Sequence, residues 1–148
     1  MPVIKLFIGS SSAAKSQAKK FVETLSNSTI RFIPWWDSIT PGQFLLDELD
    51  SIYKKVDGAV LIFSPESETT IRKDKKKIPN LNVLFEFGYF LGALERKKVV
   101  LVKYGQFYLP SDFGGYQWIH GSKGFRRGGV QALSVRTKRE FGRWLAKL

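Results

Sequence analysis

The chain has 148 residues, 43% of them hydrophobic and 25% charged, which suits one domain over residues 1–148 and excludes disorder and collagen-like structure. The absence of cysteine excludes disulfides, thiol nucleophiles and thiolate metal sites, and a single histidine poorly supplies a catalytic triad or a zinc site, so no metal is expected. A net charge of +11 favours anionic partners without choosing among them.

The basic residues are concentrated at Ile71–Lys77, at Glu95–Lys98 and in the C-terminal third. No recognisable nucleic-acid-binding module accompanies them, and no apolar run approaches the roughly 18 residues that span a bilayer. The apolar stretch at the N-terminus is also too short for a signal peptide. We therefore expect a cytoplasmic protein with no membrane contact and no direct nucleic-acid binding.

The first half of the chain reads as repeated strand and helix units. Val3–Ile8 is a short apolar run of β-forming residues that ends in the polar turn "GSSS", which predicts a strand buried on both faces. Ser11–Leu25 has apolar residues at helical spacing, with serines available as N-caps. The unit repeats with a strand in "TIRFIPWW" and a helix over Leu45–Val56.

The second half begins with a third strand, Gly58–Phe63, and a charged loop from Ser64 to Leu81. The stretch "NVLFEFGYFLGAL", Asn82 to Leu94, is apolar nearly all round and predicts a buried helix. A fourth strand in "KVVLVK" and a short edge strand in "YQWI" follow. The last helix is predicted to begin at the capping box "TKRE", Thr137 to Glu140.

Strands that alternate with helices in short units predict an α/β fold. Its core is a central parallel sheet of four to five strands in flavodoxin-like order, with helices on both faces. In such a sheet the ligand crevice lies at the carboxyl ends of the strands, where the strand order reverses. Three loops meet there, and each leads to a helix whose N-terminal N–H groups and dipole favour an anionic ligand.

Glu86 is the one acid in the apolar helix, and it falls close to this crevice on a face shared with Asn82 and Tyr89. Either it makes a buried hydrogen bond or ion pair, or it is the acid, base or cation stabiliser of a site. No phosphate-loop or dinucleotide-binding motif is present, whereas glycosidic-bond cleavage needs mainly a negative charge beside the sugar.

The loop residues also allow two interpretations each. The turn at Gly9, Ser10 and Ser11 is either a set of helix caps or a holder of phosphate and ribose oxygens. Trp36 is either core packing or a surface on which a planar ring stacks. Asp37 is either a cap or an acceptor for ribose hydroxyls.

The segments "FIGSSSAAKSQAKKF", "WWDSITPG", "AVLIFSPES", "NVLFEFGYFLGAL" and "LPSDFGGYQWI" occur in an order that resembles the bacterial TIR-like nucleotide-binding family. Its members include the TIR effectors of CBASS and Pycsar anti-phage systems, some fused to STING domains. The resemblance covers nearly the whole chain. The family often has arginine and aspartate just before the asparagine that opens the fourth of these segments, Asn82 in this chain. Here those two positions are Asn80 and Leu81.

The resemblance implies a flavodoxin-like TIR fold and an NAD⁺ glycohydrolase that consumes NAD⁺ as substrate and needs no cofactor. It implies that Glu86 is catalytic and that Ser10 and Ser11 are the family's first-loop serines. With Gly9 and Asn82, these serines are assigned to substrate binding, and Trp36 and Asp37 are predicted to line the ribose or base. It also implies self-association of TIR domains, driven by a fused or separate sensor of a cyclic nucleotide.

Two alternatives remain at this point. One is an enzyme related to nucleoside deoxyribosyltransferases, in which a glutamate on a similar fold is a covalent nucleophile. The other is a TIR interaction module without catalysis, in which "SITPG" and the basic surfaces only mediate assembly.

Overall fold

The structure is a computed structural model that describes residues 2–121, 123–127 and 130–148, with side chains over 2–121 and 132–148. For residues 123–127 only the backbone is described, so the predicted basic side chains at positions 123, 126 and 127 lie outside the described part of the structure. Strands and helices alternate along most of the chain. In chain order they are β1 (Ile4–Gly9), α1 (Lys15–Leu25), β2 (Ile30–Pro34), α2 (Trp35–Ser38), α3 (Leu45–Tyr53), β3 (Gly58–Phe63), β4 (Ser67–Ile71), β5 (Asp74–Ile78), α4 (Leu81–Ala93), β6 (Val99–Lys103), β7 (Ile119–His120), β8 (Lys123–Arg127), β9 (Val130–Leu133) and α5 (Val135–Leu145).

Five strands form one parallel sheet in the order β2-β1-β3-β6-β7. This confirms the predicted flavodoxin-like α/β fold. The order reverses between β1 and β3, so the crevice opens between the carboxyl ends of these two strands. The edge strand predicted in "YQWI" is present as β7, which has only two residues. Its centre lies two positions after the centre of the predicted segment.

Alternating side chains of the strands build two separate cores. Leu6 and Ile8 of β1 pack with α1 and α5 on one face of the sheet. Phe7, between them, packs with α3 and α4 on the other face. This period of two explains why the strands are apolar throughout, since both of their faces are covered.

The segment from Ser64 to Leu81, predicted as a loop, contains the antiparallel hairpin of β4 and β5. Its strands lack apolar alternation, and nearly all of their side chains are exposed. Its two turn residues, Arg72 and Lys73, have φ angles of 49° and 72°, which are conformations that hairpin turns usually give to glycine or asparagine. The usual signals of a hairpin are therefore missing from the sequence.

Two further boundaries and the burial of one helix differ from prediction. The second strand ends at Pro34, and both tryptophans belong to the short helix α2. Helix α4 is not buried all round, since Leu81 and Phe85 are 65% and 49% exposed. Helix α1 begins at Lys15 rather than among the serines.

The capping box predicted at Thr137 is wrong because α5 begins one turn earlier, where the Ser134 hydroxyl accepts a hydrogen bond from the Thr137 amide. Thr137 is buried, and its hydroxyl donates to the carbonyl of His120 at 2.6 Å. Glu140 accepts hydrogen bonds from the His120 amide and from Arg136. These contacts fasten α5 to the edge strand, so the "TKRE" side chains are used in tertiary packing.

Within the part of the chain that the structure describes, no helix is both long and apolar enough to cross a membrane.

Helix α4 provides a test of capping. The Asn80 side chain accepts from the amides of Asn82 and Val83 at 2.9 and 3.3 Å, whereas the exposed Asn82 has only its backbone in this cap. We expect Asn80→Ala to lower the free energy of unfolding by about 1 kcal/mol in denaturant titrations. Asn82→Ala is the matched control and should change it by less than about 0.5 kcal/mol; equal losses from both variants would contradict this role of Asn80.

Candidate functional site

The candidate site lies where β1 ends and the second turn of α4 passes over it. Glu86 projects from α4 toward Gly9, the last residue of β1. Phe87 and Phe90 of the same helix are fully buried against the sheet, and this packing fixes the side of α4 that carries Glu86. Topology thus brings the acid to the reversal of strand order, as the sequence predicted.

Glu86 is a buried carboxylate with no partner among the residues that the structure describes. The residue is 8% exposed, and among the described residues no group forms a hydrogen bond with its Oε2 atom. Burial raises the pKa of Glu86 to about 7, because the ionised form loses its hydration. The alternative of a buried hydrogen bond or an ion pair with an arginine therefore has no support at this oxygen.

Gly9 lets the strand and the carboxylate come this close. A Cβ atom at position 9 would lie 2.8 Å from Oε2 of Glu86 and 2.7 Å from Cδ1 of Leu61. Leu61 is fully buried, so its side chain has little room to withdraw. The first residue of "GSSS" is thus a close-approach glycine that shapes the wall opposite Glu86.

The two serines that follow are buried, and their hydroxyls are used within the protein. Ser10 Oγ donates to the carbonyl of Ser11 and accepts from Nε1 of Trp35, each at 2.9 Å. Ser11 Oγ accepts from the Ala14 amide at 3.1 Å and donates to the carboxylate of Glu66. Contacts of these hydroxyls with a nucleotide stay a prediction, and they would require an exchange of hydrogen-bond partners.

Glu66 ties the first loop to the end of the neighbouring strand. Besides Ser11, its carboxylate accepts a hydrogen bond of 3.3 Å from Ser64, and its amide donates to the carbonyl of Ile78 at the base of the β4–β5 hairpin. A single acid thereby joins the loop after β1, the loop after β3 and the segment that leads to α4.

The predicted concentration of free helix N–H groups is only partly present. At α4 the Asn80 side chain already accepts from the amides of Asn82 and Val83. Asn80 therefore supplies the cap at a position where the family often has another residue. The charge on an anionic ligand must be matched by other groups of the crevice.

The remaining predicted residues make no described side-chain hydrogen bond with the group around Glu86. Trp36 is half-buried and packs against the core on the α1 side of the sheet. Asp37 and Asn82 are exposed, and in the described structure no side-chain hydrogen bond joins either to the residues around Glu86. Gly9, Ser10, Ser11 and Glu86 form one group, while Trp36, Asp37 and Asn82 stay predictions for the rim.

Sequence reasoning missed Trp35 and Glu66, which contact the first loop directly. Trp35 stands next to Trp36, and the alternation of side chains along a strand could not decide which indole faces the loop, because the strand ends at Pro34 and both tryptophans belong to the helix that follows. Glu66 did carry a signal, as the first acid after a buried strand that ends at the crevice.

The arrangement suits the stabilisation of a positive charge. A carboxylate with a raised pKa in an apolar wall gains most from a cation that replaces its lost water. It can also hold or release a proton near neutral pH. Chemistry that develops a cation beside a sugar fits both properties.

The burial of Glu86 predicts a pH-dependent stability. Its pKa of about 7 lies above the value of 4.5 for an exposed glutamate, so the folded protein binds more protons between these pH values and its stability falls as pH rises through them. The full loss is on the order of 3 kcal/mol. In denaturant titrations we expect the free energies of unfolding of Glu86→Gln and wild type to be similar at pH 5. At pH 8.5 the variant should be the more stable of the two, because only the wild type carries a buried charge there.

The matched control is Glu23→Gln, since the Glu23 side chain is 69% exposed. Its stability should follow that of the wild type at both pH values. If Glu86→Gln and Glu23→Gln show the same pH dependence, the buried carboxylate is not the cause.

The close approach at Gly9 gives a second prediction. Gly9→Ala should lower the free energy of unfolding by about 1 to 3 kcal/mol because the methyl group overlaps Leu61 and Glu86. Gly88→Ala in α4 is the control, since a Cβ there would meet nothing within 4 Å, and it should stabilise the protein by up to about 1 kcal/mol. Thermal unfolding of both variants measures this, and stabilisation by Gly9→Ala would refute the contact.

Comparison with known proteins places this chain in a family. The profile of the family described as CAP12/Pycsar effector protein, TIR domain, matches residues 5–123. The matched range includes β1, the first loop, Glu66 and Glu86.

Individual relatives agree with that match. A CD-NTase-associated protein 12 from Sphingobacterium faecium is 33% identical over 111 residues, which are 75% of this chain and 34% of that protein. The Pycsar effector protein PaPycTIR from Pseudomonas aeruginosa is 31% identical over 99 residues, 66% of this chain and 29% of its own length. Protein tirC from Dictyostelium discoideum is 28% identical over 131 residues, covering 79% and 64% of the two chains.

This chain spans about a third of the length of the two bacterial relatives. The match to the family profile covers its sheet from β1 to β7 as well as the group around Glu86. The chain therefore belongs to the family of CAP12/Pycsar effector TIR domains.

Proposed function

We propose that this chain is an NAD⁺ glycohydrolase domain of a bacterial anti-phage effector, which cleaves the bond between nicotinamide and ribose. The observation that carries the proposal is Glu86, a buried carboxylate at the carboxyl edge of a parallel sheet, whose Oε2 atom has no hydrogen-bond partner within the described part of the chain. Membership in a family of effector TIR domains supports the same reading.

The proposed reaction uses Glu86 as an electrostatic partner. The bond between C1′ of the ribose and the pyridinium nitrogen breaks with both electrons passing to nitrogen, so nicotinamide leaves neutral and the ribosyl group carries the positive charge. The Glu86 carboxylate stabilises that charge. Water then adds to C1′ and loses a proton, which gives ADP-ribose; attack by a group of the adenine instead would give a cyclic product.

Substrate binding also favours the charged form of Glu86. The pyridinium of NAD⁺ is a cation, and a cation close to a carboxylate lowers the pKa of that carboxylate. In the free protein burial raises the pKa of Glu86 to about 7. Binding of NAD⁺ thus ionises the group that the reaction needs.

The other assigned residues surround this centre. Gly9 forms the close wall, and Ser10 and Ser11 are proposed to hold ribose or phosphate oxygens. Asn82, Trp36 and Asp37 are proposed for the rim, where ribose and base would lie. Glu66 is not in this set of contacts, because it acts on the loop through Ser11.

Activation is proposed to require assembly. The relatives are named as CD-NTase-associated and Pycsar effector proteins, and this chain spans about a third of the two bacterial ones compared above. We infer that a sensor of a cyclic nucleotide, fused or separate, brings copies of the domain together and that self-association completes the active state.

The experiment measures nicotinamide release from NAD⁺ by wild type and Glu86→Gln, each fused to the same oligomerising partner. Loss of the carboxylate should lower kcat/KM at least about a hundredfold, with Glu23→Gln as the control that keeps wild-type activity. For the wild type, kcat/KM should rise about tenfold per pH unit below pH 7 and level off above it, since Glu86 must be ionised. Equal activity of the wild type and Glu86→Gln would refute the assignment.

A non-catalytic interaction module is the second candidate, and one surface favours it. A groove of about 500 Å³ runs between α5 and β7 and is lined by Arg139, Arg143, Lys147, Trp118 and Trp144. The three cations have no ion-pair partner among the described residues, so this face suits an acidic protein surface. No nicotinamide release from the assembled wild type would favour this function.

The deoxyribosyltransferase-like alternative differs in its intermediate and its substrate. A covalent sugar ester on Glu86 after single turnover, formed equally well from nucleosides that lack phosphate, would support it.

A further inference from the structure

One ammonium group lies beside the first loop without a carboxylate partner. Nζ of Lys15, the first residue of α1, is 5.7 Å from the ring centroids of both Trp35 and Trp36. The two indole rings meet at an interplanar angle of 83° and hold the ammonium in the corner between them. Among the described residues no acid forms an ion pair with Lys15.

A chain of contacts connects this ammonium with Glu86. Trp35, which lies beneath Lys15, donates its indole N–H to Ser10. Ser10 follows Gly9, which abuts the carboxylate of Glu86. The acid and the lysine therefore lie at opposite ends of the first loop, on the same carboxyl edge of β1.

A negative group at one end of the first loop, Glu86, and a positive group at the other, Lys15, complement the charges of a pyridine dinucleotide. The nicotinamide end carries one positive charge and the diphosphate carries two negative charges, separated by a ribose. Glu86 suits the first end. Asn80 already occupies donors at the start of α4, and the neutral Ser10 and Ser11 hydroxyls must exchange partners before they hold any substrate oxygen, so the negative charge of the diphosphate still needs a cationic partner.

We propose that Lys15 binds the diphosphate of the substrate and so selects for phosphate-bearing nucleotides at this site. This rests on the proposed function, since it assigns a residue to the same substrate. The cations of the β4–β5 hairpin, positions 72–77, are exposed and have no described contact with the first loop, whereas the two indoles fix Lys15 next to it.

The first measurement is calorimetric binding of ADP-ribose, which needs no turnover. Lys15→Met keeps most of the aliphatic stem on the indoles but removes the charge, and it should weaken ADP-ribose binding about tenfold. Lys15→Arg keeps the charge and should bind within about threefold of wild type. Lys19→Met, one turn further along α1 and exposed, is the matched control and should bind like wild type.

The second measurement compares NAD⁺ with nicotinamide riboside, which has the same scissile bond and no phosphate. In the assembled protein Lys15→Met should raise KM for NAD⁺ about tenfold with kcat nearly unchanged. Its kcat/KM for nicotinamide riboside should equal that of the wild type. A role limited to packing would instead lower melting temperature and impair both substrates together.

These outcomes separate the two proposals. If Lys15→Met and wild type bind ADP-ribose equally, or if wild type does not bind it, the inference about Lys15 is overturned. If binding depends on Lys15 but neither wild type nor Glu86→Gln releases nicotinamide, the phosphate site stands and the proposed glycohydrolase fails.

Discussion

The constraint on which this structure depends is a carboxylate, that of Glu86, buried with no partner for one of its oxygens among the described side chains. Taking an unpaired charge out of water costs several kcal/mol, and Glu86 meets this cost through a pKa raised to about 7 by its burial. The site is possible only because Gly9 has no side chain there and because Phe87 and Phe90 anchor α4 on the sheet. Burial of this carboxylate lowers the stability of the folded protein, and the Oε2 atom of Glu86 is available to a ligand.

The loop opposite Glu86 is held by groups from three parts of the chain. Trp35 reaches it from the end of β2, Glu66 from the end of β3, and the Ala14 amide from the start of α1. Fixing a loop in advance reduces the ordering that a ligand must cause on binding. The same contacts explain why serines that look like ordinary caps are buried in this structure.

Sequence reasoning succeeded where the physical signal is periodic or topological. Apolar runs such as Gly58–Phe63 identified the strands, and the rule for parallel sheets brought Glu86 to the crevice. It failed where several local patterns compete. Ser134 and Thr137 both offer a plausible cap, and the structure shows that Ser134 begins the helix, because its hydroxyl accepts from the Thr137 amide while the Thr137 hydroxyl donates to the His120 carbonyl. The β4–β5 hairpin has no buried apolar face, so its sequence lacks the alternation that identifies a strand.

By itself the sequence determined the α/β class and the presence of one isolated acid, because these follow from periodicity. The flavodoxin-like strand order was one choice among those that right-handed connections allow, and the structure confirmed it. Tertiary structure decided that this acid has an oxygen without a partner and that Gly9 touches it. It also decided that Trp35, Glu66 and Lys15 surround the first loop. These contacts join residues from 20 positions apart (Lys15 and Trp35) to 77 positions apart (Gly9 and Glu86), and they depend on how side chains pack across the sheet, which local pattern does not encode.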